Sequence, residues 1–273
     1  MSSIFLLISK KKYDIINYNL FREAKMGSQI KVLGINFDAV TKSEASARIF
    51  AASQSKSDLP LTVVTPNPLM LMNAQGNPDL FAAISNADLS IADGIGIISA
   101  AKRLGTPLPE RVTGIDTAYE VLKMLANKGG RIYLLGGKPG VAEKAKMMFR
   151  EYLPGLNVVG TRHGYFDDDS EIITDIAEKS PDLLAVCLGS PRQEIWVHRN
   201  KEKLSGVGAV MCLGGALDGW SGTVKRAPEF FINMRLEWLW RMMREPKRFA
   251  ALPKMIKFRL LTRKTRQKAD IIK

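Results

Sequence analysis

The sequence contains few of the residues that build metal clusters or disulfide frameworks. Its 273 residues include two cysteines, Cys187 and Cys212, and two histidines, His163 and His198. Each cysteine lies inside an apolar run, which is typical of small core residues in a reducing compartment. The four side chains are too few and too scattered to form a recognisable metal cluster. We therefore expect neither a metal site nor a cofactor.

Long hydrophobic runs are also missing. No apolar run approaches the roughly 20 residues that a membrane-spanning helix needs. The short stretch SIFLLIS near the start has no basic residue before it and is followed by Lys10, Lys11 and Lys12, an order that does not fit a secretory signal. A globular start begins at Met26, so we expect residues 1–25 to be a dispensable extension. These features together predict a cytoplasmic protein.

Positive charge is abundant but unevenly placed. The net charge is +13, and residues 225–273 hold 15 basic and 4 acidic residues, so the preceding 224 residues carry a net charge of only +2. A near-neutral body with a strongly basic tail is typical of proteins that bind an anionic partner such as nucleic acid or lipid.

Short apolar runs alternate with helical stretches from Ile30 onward, which predicts an α/β fold. The runs are mostly continuous, as expected for strands of a mainly parallel sheet with helices on both faces. The predicted strands are 61–65, 88–92, 131–135, 156–160, 183–188 and 209–213. Helix starts are indicated by the capping box Thr41–Glu44, by Asn77–Pro78, and by Pro139 and Pro191. After Gly222 the pattern changes to helices that we expect to break near Pro246 and Pro253.

Several predicted strands end in glycine, namely at Gly136–Gly137, Gly189 and Gly214–Gly215. In open parallel sheets ligands bind beyond the carboxyl ends of the strands, where glycine lets the backbone approach them closely. We therefore expect the functional site in the loops that follow these strands.

Two of these loops carry polar side chains suited to a polyhydroxylated ligand. Thr65 and Asn67 in TPNP follow a strong strand, where they can bind a ligand or form a strand-ending turn with an Asn cap. Asp93 follows the strand DLSIA, where it can cap a helix or act as a general base that takes a proton from a hydroxyl group. Gly94-Ile-Gly96 also resembles the start of a dinucleotide fingerprint, but Ser99 replaces the third glycine.

Three further segments carry candidate binding residues. Arg111 precedes a helix start and can bind a phosphate, or it can be a solvated side chain. The turn at Gly136 and Gly137 suits a diphosphate but is not a Walker motif. Gln193 in GSPRQE lies at another strand end, although an isolated glutamine is usually a surface residue. Asp167, Asp168 and Asp169 are adjacent in a loop and favour a cap for the next helix over a metal site.

Seven motifs in order carry a resemblance to a known family. They are TPNP, SIADG-G, ERVTG-D, LLGG-PG, GSP-QE, GG-D-WSG-V-RAP and LEWLWR---EP-R. Together they resemble the WecG/TagA/CpsF family of bacterial glycosyltransferases over roughly residues 30–248. The resemblance implies a Rossmann-like α/β fold with a C-terminal appendage and an inverting, metal-independent reaction. It implies transfer of N-acetylmannosamine, its uronate or another hexose such as glucose or galactose from a UDP-sugar to a polyprenyl-diphosphate-linked sugar in cell-surface polysaccharide synthesis.

The resemblance also implies roles for individual residues. Asp93 corresponds to the catalytic base, Thr65 and Asn67 to a polar active-site pair, Arg111 to a functional arginine and Gln193 to a donor contact. Three appendage arginines correspond to residues that cover the site and meet the diphosphates: Arg241, Arg244 and Arg248. Arginines can neutralise a departing diphosphate in place of a metal ion.

These arguments divide the chain into the extension 1–25, a catalytic α/β domain 26–222 and a helical appendage 223–273. The appendage interleaves apolar and basic residues, so we expect it to contact the anionic inner face of the membrane peripherally. Its aromatic residues can also lie at a subunit contact, which leaves a homo-oligomer open.

Two other classes remain as alternatives. A nucleotide-dependent oxidoreductase would use the Gly94–Gly96 turn, but no acidic ribose ligand stands about 20 residues later. A nucleic-acid binder would use the basic tail, which has no recognisable binding motif. We therefore expect no nucleic-acid partner.

Overall fold

A computed structural model describes residues 28–224, 230, 231, 234, 240, 243 and 246–271, without the side chains of 246–248 and 264–271. The strands are β1 Gln29–Val32, β2 Ile35–Asp38, β3 Leu61–Val64, β4 Leu89–Ser90, β5 Arg131–Gly136, β6 Asn157–Arg162, β7 Leu183–Cys187 and β8 Ala209–Cys212. The helices are α1 Lys42–Ser55, α2 Pro68–Ala74, α3 Pro78–Ser85, α4 Ile95–Arg103, α5 Gly114–Ala126, α6 Val141–Tyr152, α7 Ser170–Lys179, α8 Arg192–Asn200, α9 Ala216–Trp220 and α10 Leu252–Ile271. Short 3-10 helices cover Lys201–Leu204 and Pro246–Ala251.

Six strands form one parallel sheet in the order β4-β3-β8-β7-β5-β6. All six match strands predicted from the apolar runs, so the Rossmann-like α/β fold is confirmed. β4 is shorter than expected, since only Leu89 and Ser90 pair with β3. The chain runs from β3 to β4 toward one edge of the sheet and from β5 to β6 toward the other edge, and it then returns through β7 to place β8 beside β3. The direction of the connections therefore reverses near the middle of the sheet. Such a reversal is where open α/β sheets place their ligands.

Two hydrophobic clusters fill the two faces of the sheet. One cluster packs α2, α3, α4, α7 and α8 against one face, and the other packs α1, α5, α6 and α9 against the opposite face. The strands contribute to both clusters in alternation, so that Val210 lies in the first and Met211 in the second. Burial on both faces explains why the strands are continuous apolar runs.

The two cysteines are core residues, as the sequence predicts. Cys212 belongs to the first cluster and Cys187 to the second, so their side chains lie on opposite faces of the sheet. Burial raises the pKa of Cys187 to about 12 and raises that of Cys212 well above its usual value. Both side chains are therefore protonated thiols at neutral pH.

Local capping explains where the helices begin. Thr41 and Glu44 form the expected capping box at α1, and the Asn77 side chain accepts a hydrogen bond from Leu80 N at 3.0 Å, with Pro78 in the first turn of α3. The adjacent residues Asp167, Asp168 and Asp169 were expected to cap the next helix, and two of them make different contacts. Asp168 accepts from Ser170 N at 3.0 Å, whereas Asp169 accepts from Trp196 Nε1 at 2.6 Å and so ties the loop to α8.

The antiparallel hairpin β1–β2 was not predicted from the sequence. Its turn uses Leu33 and Gly34, both with positive φ. A leucine at a positive φ is not a turn signal, so the hairpin could not be recognised locally. The hairpin is fixed to the sheet by Asp38, whose carboxylate accepts a hydrogen bond from Ser90 N in β4 at 2.8 Å.

The last described helix, α10, packs against α2 and α4. Phe258 is buried in the first cluster, and Lys254 Nζ donates to Asn73 Oδ1 at 2.7 Å. The 3-10 helix Pro246–Ala251 gives way to α10 at Leu252, one residue before Pro253, in agreement with the expected break there. The break expected near Pro246 borders residues that lie outside the described ranges. Within the described ranges, no helix is long and apolar enough to cross a membrane.

Candidate active site

Apart from Arg111 and Arg248, the expected functional residues within the described ranges follow the carboxyl ends of neighbouring strands. Across the sheet from β4 to β5, the segments meet the edge in the order Asp93, Thr65–Asn67, Gly214–Gly215, Gln193 and Gly136–Gly137. The sequence-based expectation that these loops share one edge is therefore correct. Asp93 and Gln193 follow strands three positions apart in the sheet, and the axes of these two strands are about 14 Å apart at about 4.8 Å per strand.

Three backbone segments converge around Asp93. Asp93 N donates to Pro66 O at 3.3 Å, which joins the loop after β4 to the loop after β3. Val112 N donates to Ala92 O at 3.3 Å, which brings Arg111 beside the same loop. Asp93 and Arg111 are both half-buried, so each combines a fixed position with access to a ligand.

Asp93 directly precedes the start of α4. The cap position of this helix is Gly94, with φ of 105° and no side-chain cap hydrogen bond of its own. A half-buried carboxylate at the carboxyl edge of a parallel sheet has the position expected of a general base. The two interpretations of Asp93, as a general base and as a contributor to the helix start, both stay predictions.

Asn67 is both a cap and a ligand candidate. Its Oδ1 accepts hydrogen bonds from Leu69 N at 3.0 Å and Met70 N at 3.1 Å, which fixes the side chain at the start of α2. Its Nδ2 has no partner among the described residues, and the residue is half-buried. The cap therefore orients a free amide donor beside Asp93, so the structural and the ligand-binding interpretations are compatible.

Thr65 is held tightly at the end of β3. Its Oγ1 donates to Cys212 O at 3.4 Å, and its methyl group packs on Gly114 at the start of α5. A Cβ at Gly114 would lie 2.7 Å from Thr65 Cγ2, so only glycine allows α5 to approach this closely. The same helix start is capped by Thr113, whose Oγ1 accepts from Asp116 N at 3.3 Å. Packing thus fixes the Thr65 hydroxyl relative to Arg111, two residues before the cap.

The turn at Gly136 and Gly137 is required by packing between strands. A Cβ at Gly136, whose φ is 132°, would lie 2.2 Å from Cys187 O. Gly137 N donates to Cys187 O at 3.2 Å, and Gly137 O accepts from Gly164 N at 2.8 Å. The amide of Gly137 is thus already occupied. A diphosphate at this turn would meet the first-turn amides of α6, which follow Gly140.

Gln193 is not the surface residue that its isolated position in the sequence favours, because it is 3% exposed. Its Oε1 accepts from Gly214 N at 2.9 Å, and its Nε2 donates to Glu194 Oε1 at 2.6 Å. The side chain therefore joins the start of α8 to the loop after β8. Burial raises the pKa of Glu194, partly offset by the hydrogen bond from Gln193.

Two neighbours of Gln193 were not among the expected site residues. Glu194 is 2% exposed, and its Oε2 has no hydrogen-bond partner within the described part of the chain. Arg192 donates to Gly164 O and, at 3.0 Å, to Phe166 O, and its guanidinium lies 4.5 Å from the centre of the Phe166 ring. The pattern GSPRQE places three adjacent polar residues at a strand end, which was the available signal.

An open cavity of about 770 Å³ adjoins this end of the edge. It lies between the loop after β6 and α8, and Arg192 stands at its margin. The lining residues are Tyr165, Phe166, Asp167, Asp169, Arg192, Ile195, Trp196, Arg199 and Asn200. The Asp93 cluster lies outside this cavity, toward the β4 side of the sheet.

The appendage arginines lie mostly beyond what the structure describes. Arg241 and Arg244 fall outside the described residues. Arg248 lies in the 3-10 helix Pro246–Ala251, and its side chain is not described. Helix α10, in the described part of the appendage, contacts α2 and α4, whose cap positions are Asn67 and Gly94.

Comparisons with known proteins show the family of the chain. The model of the glycosyl transferase WecG/TagA/CpsF family matches residues 30–270. A protein of Bacillus spizizenii is 36% identical over 198 residues, which cover 71% of this chain and 76% of the relative. A protein of Staphylococcus aureus is 31% identical over 228 residues, which cover 82% of this chain and 88% of the relative. Both are named N-acetylglucosaminyldiphosphoundecaprenol N-acetyl-beta-D-mannosaminyltransferase.

The matched range includes every strand of the parallel sheet and every described residue of the candidate site. Such coverage extends well beyond half of the chain. The chain therefore belongs to the WecG/TagA/CpsF family and is a glycosyltransferase.

Proposed function

We propose that this protein transfers N-acetylmannosamine from a UDP-sugar to N-acetylglucosamine linked to a polyprenyl diphosphate. The convergence of Asp93, Thr65, Asn67 and Arg111 on one edge of the sheet is the observation that carries the proposal. The names of the Bacillus and Staphylococcus relatives support the sugar and the acceptor. Membership of a glycosyltransferase family favours this reaction over the oxidoreductase and nucleic-acid alternatives.

The reaction is an inverting displacement in which Asp93 is the general base. An acceptor hydroxyl gives its proton to the Asp93 carboxylate while its oxygen forms a bond to the anomeric carbon of the donor. The bond between that carbon and the diphosphate oxygen breaks, and UDP leaves with the electron pair. A positioned base contributes about 10²- to 10⁴-fold in rate to such a step. Thr65 and Asn67 orient the sugars: the Thr65 hydroxyl, which donates its proton to Cys212 O, accepts a hydrogen bond from a sugar hydroxyl, and the free Asn67 amide donates one.

The departing diphosphate needs positive charge and hydrogen-bond donors. Arg111 lies beside the Asp93 loop, and the amides at the start of α6 lie farther along the edge. We propose that Arg241, Arg244 and Arg248 complete this set and make a metal ion unnecessary. Charge-assisted hydrogen bonds from guanidinium groups are about twice as strong as neutral ones.

The exposed face of α10 suits a peripheral contact with the membrane. Ile256 and Leu260 are one helical turn apart and are 61% and 53% exposed, although both are large apolar side chains. Lys257 and Arg259 stand next to them on the same helix. A helix with exposed apolar and basic residues binds an anionic interface, and each basic residue contributes about 1 kcal/mol near an anionic leaflet.

Transfer assays with a panel of UDP-sugars test the proposed function. The acceptor is a synthetic polyprenyl-diphosphate-N-acetylglucosamine, and each reaction runs with and without EDTA. The proposal predicts product from UDP-N-acetylmannosamine and the same rate in EDTA. Product only from UDP-glucose or UDP-galactose would refute the donor, and a rate abolished by EDTA and restored by a divalent cation would refute the metal-independent mechanism.

A further inference from the structure

A cluster of three arginines lies where α10 packs on the end of α4. Arg103 is the last residue of α4, and Arg259 and Arg263 are one turn apart on α10. Arg103 donates through Nη2 to Thr262 Oγ1 at 3.0 Å and through Nη1 to Ser99 Oγ at 2.7 Å. Both acceptors are neutral hydroxyls. Among the described residues, no carboxylate forms an ion pair with any of the three arginines.

Arg103 is the arginine of this cluster whose charge destabilises the folded state most. It is half-buried, and its Nε is buried without an acceptor in the described part of the chain. Burial lowers the pKa of Arg103, and the positive charges of Arg259 and Arg263 lower it further. A partly desolvated guanidinium beside two like charges is unfavourable unless an anion is close. The carbonyl groups at the end of α4 compensate only part of one charge.

The surrounding sequence offers no internal anion. From Pro246 to Lys268 there are nine basic residues and no acidic one. Each Nη group of Arg103 keeps one N–H that the two hydroxyls do not use, and Arg259 and Arg263 are exposed. Three guanidinium groups with free donors match the oxygens of a phosphate group.

Neighbouring side chains indicate the source of that phosphate. Ile256 and Leu260 are exposed on the same helix, and Leu260 directly follows Arg259. An anion in bulk water would not need them, whereas a lipid places its acyl chains beside its headgroup phosphate. The site also lies about 13 Å from Asp93, the length of the nine-residue helix α4 at about 1.5 Å per residue, so it is separate from the reacting groups.

We propose that Arg103, Arg259 and Arg263 form a specific binding site for the headgroup phosphate of an anionic phospholipid. The site uses one arginine from the catalytic body and two from the appendage. Lipid binding therefore holds α10 against α4 and fixes the orientation of the active-site edge relative to the membrane. This inference rests on the membrane association proposed above.

Charge-conserving variants separate a specific site from diffuse attraction. Full-length protein is sedimented with phosphatidylcholine vesicles, with and without phosphatidylglycerol. Arg259→Lys keeps the charge but loses the guanidinium fork, and we expect it to bind phosphatidylglycerol vesicles about tenfold more weakly, which is about 1.4 kcal/mol. Arg103→Lys should weaken binding similarly. The matched control Arg150→Lys makes the same exchange at an exposed arginine in the last turn of α6, away from α10, and should bind like the wild type.

Each outcome supports or overturns one statement. Equal binding of Arg259→Lys, Arg150→Lys and the wild type would overturn the arginine site but keep membrane association. Failure of the wild type to bind either vesicle would overturn both. Arg259 is exposed and has no carboxylate partner within the described residues, so its variant should melt like the wild type. Arg103→Lys is accepted only if its melting temperature is also unchanged.

Two further arms identify the source of the phosphate. Inorganic phosphate that raises the melting temperature of the wild type but not of Arg259→Lys would assign the site to free phosphate and overturn the lipid proposal. Vesicles doped with polyprenyl diphosphate in place of phosphatidylglycerol provide the second arm. If Arg259→Lys binds more weakly than the wild type only to these vesicles, the site binds the acceptor diphosphate, and the phospholipid proposal is overturned.

Discussion

The contact between Gly114 and Thr65 gives a sharp test of how the active-site edge is held together. In Gly114→Ala, the added Cβ would lie 2.7 Å from Thr65 Cγ2 and 3.2 Å from Thr65 Oγ1. Two carbon atoms pack at about 3.5–4.0 Å, so one side must move by roughly 1 Å. Thr65 has a branched side chain and is 9% exposed at the end of β3, so it cannot rotate away freely. Either the hydroxyl or the start of α5 must therefore shift.

Two opposing effects set the change in stability. Alanine is favoured over glycine in a helix by up to about 1 kcal/mol, whereas overpacking costs about 1–3 kcal/mol. We expect a net loss of about 1 kcal/mol in the free energy of unfolding. The effect on transfer should be larger, since a displacement of about 1 Å in a reacting site can reduce the rate about 100-fold.

The matched control for this variant is Gly219→Ala in α9, because a Cβ there would meet Ile115 Cδ1 at 3.8 Å, an ordinary contact. Chemical denaturation measures stability, and the transfer assay with UDP-N-acetylmannosamine measures kcat and KM. We expect a kcat about 100-fold lower for Gly114→Ala and a nearly normal one for Gly219→Ala. A fully active Gly114→Ala protein would refute the claim that the position of Thr65 matters for the reaction.

Three further predictions concern stability and the appendage. Burial raises the pKa of Asp88, but hydrogen bonds from Lys201 and Thr62 outweigh it and leave the pKa below its usual value. Asp88→Asn should therefore lower the free energy of unfolding by about 1 kcal/mol near pH 7, a modest loss because the Asp88 side chain is 36% exposed. The difference from the wild type should shrink as the pH falls below about 4, where the wild-type carboxylate becomes protonated. A difference in urea unfolding that does not change with pH would contradict this. Glu194 should have the opposite effect, because burial raises its pKa and its ionisation therefore lowers the stability of the wild type as the pH rises above about 4.3. The melting temperature of Glu194→Gln relative to the wild type should accordingly rise between pH 4 and pH 8. A difference in melting temperature that stays constant over this range would show that ionisation of Glu194 is not involved. Truncation after Gly222 should leave a folded protein with almost no transfer activity. The sheet and the helices α1–α9 remain in this variant, whereas α10 and the appendage arginines are lost. A truncated protein with normal turnover would refute the proposed role of the appendage.

The sheet could be predicted because its strands are buried on both faces. A run such as LLAVC at 183–187 is apolar throughout, and all five residues are buried. The starts of α1 and α3 could also be predicted from the sequence, because the side chains of Thr41 and Asn77 cap these helices. Strand ends follow from strand positions, so the common edge of Thr65, Asp93 and Gln193 could be predicted before any contact was known.

The remaining features depend on contacts between distant segments. The burial of Gln193 depends on Gly214, 21 residues later, so the local sequence could only suggest a surface residue. The close approach of α5 to β3 depends on Gly114, which has no special local pattern. The arginine cluster joins Arg103 to Thr262, 159 residues away, so no local pattern could bring these residues together.

The central claim is that Asp93 is the general base of a glycosyl transfer at this edge, and Asp93→Asn tests it most directly. The asparagine keeps the shape of the side chain but cannot accept the proton of the acceptor hydroxyl. Transfer of N-acetylmannosamine and UDP binding by calorimetry are measured on the same preparation, so that loss of folding is distinguished from loss of chemistry. The account predicts a rate at least about 100-fold lower with nearly unchanged UDP affinity, in line with the usual contribution of a general base. Full activity in Asp93→Asn would contradict the account.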